Sequence, residues 1–439
     1  MTKKAPYRSS QLKRDHARPR QQPAVSSAAV ETRLNELVSP HTYALADYYH
    51  SLGLRARLLN LPVMLALVLA LIWRQMPSVS ELLRVLARES LLWAPPMEVS
   101  QQAVSLRLRA LPADLFGEVF AALMPRLQER AATRTRPVPE VVGRALAHFA
   151  RIRIIDATTL EELFGKVGLL RETTSTPLGG KLMGVLDLPS KLPVHLWLAP
   201  DSAANERSFL DPIKAILTKG TLVLFDRGFY AFPFFDWLSD QQVSFISRAR
   251  ETAAYHITHF FTNTAQVRDC LVEFGQYASN PCAHPLRLIE VKVGGVWHRY
   301  LTNVLDPTVL SARDVAELYG YRWRIEEAFL LTKRLLGLAY LWTGAFNGIA
   351  LQVWATWLLY GVLVNLSDAI AQELNLPLEH ISLEMVYRGL YHFTMASQRG
   401  ETTDPIAYLA AQTDLGIVKR KRKSRERARL DKWPQELNL

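Results

Sequence analysis

Residues 318–338 read LYGYRWRIEEAFLLTKRLLGL. An α-helix advances about 100° per residue, so residues three, four and seven apart share a face. With Tyr319 set at zero, Arg322 falls at about 300°, Glu326 at about 340° and Lys333 at about 320°. The spacing predicts one helix over about 311–336 that presents a phenol, a guanidinium, a carboxylate and an amine on a stripe about 60° wide. Leu318, Ile325, Phe329 and Leu336 fall between about 240° and 280°. The polar stripe therefore borders the apolar face and is expected to look into a cleft. Taken alone, Arg and Glu at i and i+4 are also the ordinary mark of a solvated ion pair.

Two upstream aspartates belong with this stripe. Asp156, in IRIIDATT, follows Ile152 and Ile154 in strand alternation, and Asp226, in TLVLFDRG, follows Leu222 and Leu224 in the same way. A carboxylate at the end of an apolar strand is costly unless it is paired or binds a cation. In open α/β sheets, ligands collect at such strand ends. Either aspartate alone reads equally as a cap or turn residue. With Glu326 they make three carboxylates on two strand ends and a packed helix. Mg²⁺ takes hard oxygen ligands of this kind and keeps water and phosphate oxygens in its shell. Two such ions about 4 Å apart activate a water or 3′-hydroxyl and stabilise the leaving oxygen. Arg322 and Lys333 are placed to hold the phosphate.

The rest of the chain has a legible order. Residues 1–26 form a basic tail, and 27–140 read as a helical domain with repeated 3.6-residue periodicity. Within it, SVSELLRVLARESLLW reads as one helix capped by Ser78 or Ser80, and a second helix follows from a Ser100 cap. The second presents Gln101, Gln102, Ser105, Arg107 and Arg109. The order resembles a helix-turn-helix with its second helix set for a major groove, although polar helical hairpins are common. TRTRPVP, at 133–139, reads as a basic linker. Strands then alternate with helices, which predicts an α/β core with parallel pairing over 141–345. Residues 250–303 break that rhythm and read as an inserted β region. Helices are expected over 346–412, and 413–439 is a second basic tail.

Composition narrows the classes. The chain has 439 residues and a net charge of +11. Residues 1–26 carry seven Lys or Arg against one acid, and 419–429, KRKRKSRERAR, carry eight against one. The tails thus hold more than the whole net charge and suit a polyanion, or serve only solubility. Cys270 and Cys282 are too few for a disulfide framework, and CAH at 282–284 lacks paired zinc-site spacing. The start shows no secretory signal, so a reduced, cytoplasmic setting is expected. Leu58–Trp73 has sixteen uncharged residues, short of the roughly 20 that a membrane span needs, and reads as a buried helix with Pro62 in its first turn.

The spacing Tyr-x2-Arg-x3-Glu-x6-Lys, met in full at Tyr319, Arg322, Glu326 and Lys333, resembles the signature of the DDE transposases of bacterial insertion sequences, in particular the IS-four family. IIDATT around Asp156 and FDRGFY around Asp226 resemble that family's first two acidic motifs. The resemblance covers roughly residues 30–375. It implies an RNase H-like catalytic core with β strands inserted before the last catalytic helix. It implies two Mg²⁺ ions, replaceable by Mn²⁺, held by Asp156, Asp226 and Glu326. It implies nicking at the element's 3′ ends, attack by the freed hydroxyl, in several relatives through a hairpin, and joining to target DNA. Tyr319, Arg322 and Lys333 would grip phosphates, and Arg227 would contact DNA or brace the strand end. Trp297 is the candidate to hold a flipped base. A homodimer on double-stranded DNA, bacterial and bound at the nucleoid, is implied, with no membrane. The alternatives are a catalytically inactive DNA-binding descendant and a non-transposing nuclease on the same fold.

Overall fold

The stretch TLVLF is buried at all five positions, as a strand covered by helices on both faces must be. It lies at the centre of a computed structural model that describes residues 28–53, 57–160, 180–201, 204–275, 281–336, 338, 342 and 345–419. Its strands are β1 (Arg151–Thr159), β2 (Lys181–Asp187), β3 (Pro193–Ala199), β4 (Thr221–Phe225), β5 (Ser244–Arg248), β6 (Tyr255–Asn263), β7 (Val267–Phe274), β8 (Leu286–Val293) and β9 (Val296–Thr302). They make one sheet in the order β3-β2-β1-β4-β5-β9-β8-β7-β6.

The expected parallel pairing holds only at the centre. β1 with β4 and β4 with β5 are parallel, and every other neighbouring pair is antiparallel. Short links join β2 to β3, β6 to β7 and β8 to β9 and return the chain antiparallel, whereas the helix Phe232–Asp240 carries it across between β4 and β5. The β region read as an insertion is continuous with the core, because β9 pairs with β5 and extends the sheet by four strands. The sequence reading missed β7. VRDCLVEF looks too polar for a covered strand, but Asp269 is buried against Arg287, with contacts of 2.7 and 2.5 Å.

Each sheet face has its own helices. Ile155, Met183, Val185, Phe225, Phe245, Leu288 and Leu301 share a core with Ile213 of Leu210–Ile216 and Phe234, Phe235 and Leu238 of Phe232–Asp240. Residues one step along each strand point to the opposite face. There Gly184 of β2 lies under Ile325 and Phe329 of the helix Trp323–Arg334.

The chain divides into two compact units. Among the described residues, the first holds 28–119 and 331–359. In it Leu61–Trp73 is buried at every residue, with Asn60 capping Val63 at 3.0 Å and Pro62 in the first turn, as its apolar run predicts. The helix capped by Ser78 is shorter than expected. It ends at Leu86, and Leu92, with φ 54°, turns the chain so that Leu91 bridges Ala94. Ser100 caps Gln101–Ala110 as predicted.

The second unit holds 120–160, 180–330 and 360–419 of the described residues. It corrects the reading of 133–139 as a linker: Arg134 and Arg136 both pair with buried Asp368, and Arg136 also donates to the Pro189 carbonyl at 2.8 Å. The expected C-terminal tail also begins later than 413, since Val418 bridges Ile381 and Lys419 N–H donates to the His380 carbonyl at 2.7 Å. Residues 1–26 and the remainder of that tail lie outside the described residues. One described helix, Phe346–Glu373, is long and apolar enough to cross a membrane, and 94% of its most apolar window is buried within the protein.

Candidate active site

Parallel register brings the two aspartates together. Ile154 pairs with Leu224 and Ile155 with Phe225, so Asp156 and Asp226 come next on adjacent strands and on the same face. β4 stops there. Asp226 caps the short turn Arg227–Phe229 and accepts from the Arg227 N–H at 2.6 Å. β1 continues, so Asp156 is not at its strand's end but within it, opposite Gly184 and accepting from the Ala157 N–H at 2.8 Å.

The expected single helix over 311–336 is two helices, Ala312–Gly320 and Trp323–Arg334, with a turn at Tyr321 and Arg322. Gly320 is a poor helix former and the chain makes tight bonds there, Tyr321 N–H to Leu318 and Arg322 N–H to Tyr319 carbonyls. The stripe is therefore assembled from two helices and the turn between them. Tyr319 ends the first and Glu326 opens the second. Arg322 Nη1 lies 2.7 Å from Asp156 Oδ2, and its Nη2 lies 2.8 Å from Glu326 Oε1 and 4.0 Å from Asp226 Oδ2. The Tyr319 hydroxyl donates to Asp226 Oδ1 at 3.4 Å. Lys333 lies in the last turn of the Glu326 helix. Three carboxylates from distant stretches thus surround one guanidinium.

This arrangement bears on a metal. Arg322 supplies the positive charge that the clustered carboxylates Asp156, Asp226 and Glu326 require. The donor set itself, three carboxylates on one cleft, fits a hard divalent cation.

Comparison with known proteins gives the chemistry a class. Residues 147–360 match the family described as the transposase DDE domain, a span that includes Asp156, Asp226 and Glu326. The chain carries a transposase DDE domain. Its enzyme class is that of a transposase, the catalyst of DNA transposition and recombination. Among solved structures, similarity is found to a piggyBac transposase synaptic complex with hairpin DNA, seen by cryo-EM, with a TM-score of 0.43 and 11% identity over 90% of this chain and 86% of that one. No curated protein matches the chain.

Electrostatics in the transposase domain follow from burial. Desolvation pushes Asp156 up to about 6, with Glu326 and Glu206 adding to it and Arg322 and the Ala157 N–H opposing it. Burial acts to lower Arg322, but Asp156, Tyr319, Asp226 and Glu326 outweigh it, and its pKa is raised. Burial, with Asp226 nearby, also raises Tyr319. The Arg322 Nε is buried without an acceptor among the described residues.

Sequence reasoning missed the supports of the transposase site. A Cβ on Gly184 would meet Phe329 at 3.2 Å, so glycine there lets the Glu326 helix approach β2 beside Asp156. A Cβ on Gly228 would fall 1.5 Å from Glu206 Oε2, so glycine makes room for that fourth carboxylate, 3.6 Å from Lys181 Nζ. A glycine directly after FDR was the available signal for the second.

Other expected residues lie elsewhere. Arg227 is exposed. Strand pleat puts Trp297 across the sheet from Asp156: Trp297 shares the face of Leu301, and Asp156 lies one step from Ile155 of that same face. In the first unit, Gln102 and Arg109 are exposed and Ser105 is half-buried. Gln101 accepts from Ser80 at 2.9 Å and Arg107 donates to the Leu59 carbonyl at 2.9 Å, so both brace the helical unit. Cys282 bonds Asp236, and His284 bonds Asp240 at 2.7 Å.

Proposed function

We propose that this transposase is encoded by a bacterial insertion sequence, belongs with the IS-four family and acts on the ends of its own element. It binds the terminal inverted repeats through the helical 27–140 region, where Gln102 and Arg109 are exposed and Ser105 is half-buried, and through its basic tails. It cleaves DNA at those ends, through a hairpin where the second strand is cut, and joins the 3′ ends to target DNA as a homodimer. The observation that carries this reading is the gathering of Asp156, Asp226 and Glu326 around Arg322, within 2.7, 4.0 and 2.8 Å.

In the mechanism, Asp156, Asp226 and Glu326 would hold Mg²⁺, with Mn²⁺ as substitute, and such ions would supply activation of the attacking hydroxyl and stabilisation of the leaving oxygen. Arg322 moves from carboxylates to phosphate, and its buried Nε then gains the acceptor it lacks. Tyr319 orients Asp226 through its hydroxyl and orders the turn that presents Arg322. Lys333 and Arg227 add charge along the strand being cut.

The test is cleavage of a linear duplex bearing the element's end, with Glu326→Gln as control, resolved on denaturing gels. A Mg²⁺-dependent nick or hairpin that the variant does not form supports the reading. Specific binding without cleavage, even with Mn²⁺ and paired ends, replaces it with an inactive DNA-binding descendant.

A further inference from the structure

We propose that Glu206 is a positioning residue for Asp226: tethered by Lys181 and seated on Gly228, it fixes the turn that carries the second aspartate. The inference rests on the reading of Asp156, Asp226 and Glu326 as holders of a divalent cation, and adds a residue that acts through one of them.

The two aspartates are fixed by different means. β1 runs on past Asp156 to Thr159, so pairing with β2 holds its backbone on both sides. β4 ends at Phe225, and Asp226 stands one residue beyond it with its side chain 43% exposed. From there the chain turns on local bonds, Phe229 N–H to the Asp226 carbonyl at 3.2 Å and Tyr230 N–H to the Arg227 carbonyl at 3.1 Å. On the cleft side, Tyr319 and Arg322 reach the Asp226 carboxylate only at 3.4 and 4.0 Å. A ligand on such a turn depends on outer groups to orient it.

The short 3₁₀ helix Glu206–Phe209 supplies them at two points. Glu206 Oε2 lies 1.5 Å from where a Cβ on Gly228 would be, so the carboxylate rests directly on the Gly228 backbone. Arg207 Nη2 donates to the Tyr230 carbonyl at 3.0 Å. The helix is itself tied down: Lys181 Nζ lies 3.6 Å from Glu206 Oε1 and donates to the Ala204 carbonyl at 2.8 Å. Lys181 opens β2, opposite Thr159 of β1. The path Thr159, Lys181, Glu206, Gly228 therefore ties the strand of Asp156 to the turn of Asp226.

The direction of this brace separates Glu206 from the ligands. Lys181 shares the strand face of Met183 and Val185, whose core also takes Phe209 and Phe229. Asp156 and Asp226 follow Ile155 and Phe225 of that core, so they point to the opposite face. Glu206 reaches the turn from behind and acts on the cation through Asp226.

The experiment titrates the full chain with Mn²⁺, alone and bound to a duplex bearing the element's end, and reads free ion by electron paramagnetic resonance. The variants are Glu206→Ala, Glu206→Gln, Gly228→Ala, Lys181→Met and the Glu206→Ala/Gly228→Ala pair, each first shown to be folded by circular dichroism. Gly228→Ala is the decisive one. It keeps every charge, and the flexible Glu206 side chain can swing aside to admit the methyl group. Glu206→Ala and Gly228→Ala are each expected to weaken Mn²⁺ binding about tenfold or more, as loss of an orienting partner does. The pair should be within about twofold of Glu206→Ala alone, because without the carboxylate the methyl group displaces nothing. Glu206→Gln keeps the shape and an acceptor for Lys181, and should restore most of the affinity. Lys181→Met removes a cation, which by charge alone would strengthen Mn²⁺ binding; the brace predicts that binding weakens.

Wild-type affinity in Gly228→Ala, whatever its melting point, overturns the brace, as does a pair whose losses add. Glu206→Gln as weak as Glu206→Ala, with Gly228→Ala unaffected, makes Glu206 a direct ligand or a remote charge and overturns its positioning role. Stronger binding in Lys181→Met removes the tether. A wild type that binds no Mn²⁺ in either form takes away the metal reading and the brace with it.

Discussion

The Arg322 guanidinium donates to the Asp156 carboxylate at 2.7 Å, between side chains that are 7% and 13% exposed. Removing one partner of a buried pair leaves the other charge uncompensated, at a cost of about 3 kcal/mol or more. Arg322→Ala is therefore expected to lower unfolding stability by about that amount and to abolish end cleavage. Arg322→Lys keeps the charge but not the fork that spans Asp156 and Glu326, and should recover stability better than cleavage. Urea titration of the three proteins reads the first effect. An alanine variant as stable as wild type would show that the pair contributes nothing net.

Asp156 makes the metal-free protein sensitive to pH. Its proton leaves near 3.8 in the unfolded chain and at about 6 in the folded one. Between those values the folded state holds the extra proton, so stability declines as pH rises through the window and stays lower above it. The difference of about 2 pH units corresponds to about 3 kcal/mol. Asp156→Asn removes the titration. In EDTA, its stability relative to wild type should improve by about that amount between about pH 4 and about pH 7. A flat difference across that range would mean that Asp156 keeps an ordinary pKa in the fold.

How much of this was legible can be judged residue by residue. The three acids were readable because each sits at a break in a strong apolar pattern: Ile152 and Ile154 before Asp156, Leu222 and Leu224 before Asp226, Ile325 and Phe329 around Glu326. The break at Gly320–Arg322 was not, because a continuous 3.6-residue pattern runs through it and only packing shows the turn. β7 was hidden since Asp269 and Arg287 neutralise each other across strands, which no single stretch reveals. The side of the sheet on which Trp297 falls depends on register, which is a property of paired strands.

Gly184 is the partner that Asp156 needs rather than a loop residue. Alanine there would press on Phe329 at 3.2 Å and on Ile325 at 3.5 Å, and the Glu326 helix would have to move by a few tenths of an ångström. Overpacking of this kind costs about 1–3 kcal/mol. A shift of a catalytic carboxylate also lowers rate steeply, up to about 100-fold for 1 Å. Gly184→Ala should therefore fold, melt a few degrees lower and cleave ends at least tenfold more slowly. Undiminished cleavage would show that the helix has slack against β2.

The cysteines give a check of a different kind. Burial pushes Cys270 and Cys282 up to about 12, and Cys282 also bonds Asp236 at 3.1 Å. At about pH 8 only about one part in ten thousand of each is thiolate, the reactive form. Native protein should alkylate with iodoacetamide at least a hundredfold more slowly than urea-unfolded protein, followed by intact mass. Fast labelling of either thiol, or its protection by zinc, would contradict a purely structural role.

The last prediction separates the two meanings of a basic stretch. TRTRPVP carries Arg134 and Arg136, and a stretch of that composition could serve DNA. In the fold both arginines turn to Asp368, which is 1% exposed and whose pKa burial raises against the pull of Arg136. The charges are spent within the protein, so they contribute little to phosphate binding. Asp368→Ala leaves two guanidinium groups without their carboxylate and should destabilise by about 3 kcal/mol, the usual cost of stranding a buried charge. Arg136→Ala should destabilise similarly, because Asp368 is then the stranded group and the Pro189 carbonyl loses its donor. Neither change should alter the salt slope of duplex binding by as much as the roughly 0.9 that one phosphate contact contributes. A slope reduced by one unit in Arg136→Ala, with stability kept, would return residues 133–139 to the DNA-binding surface.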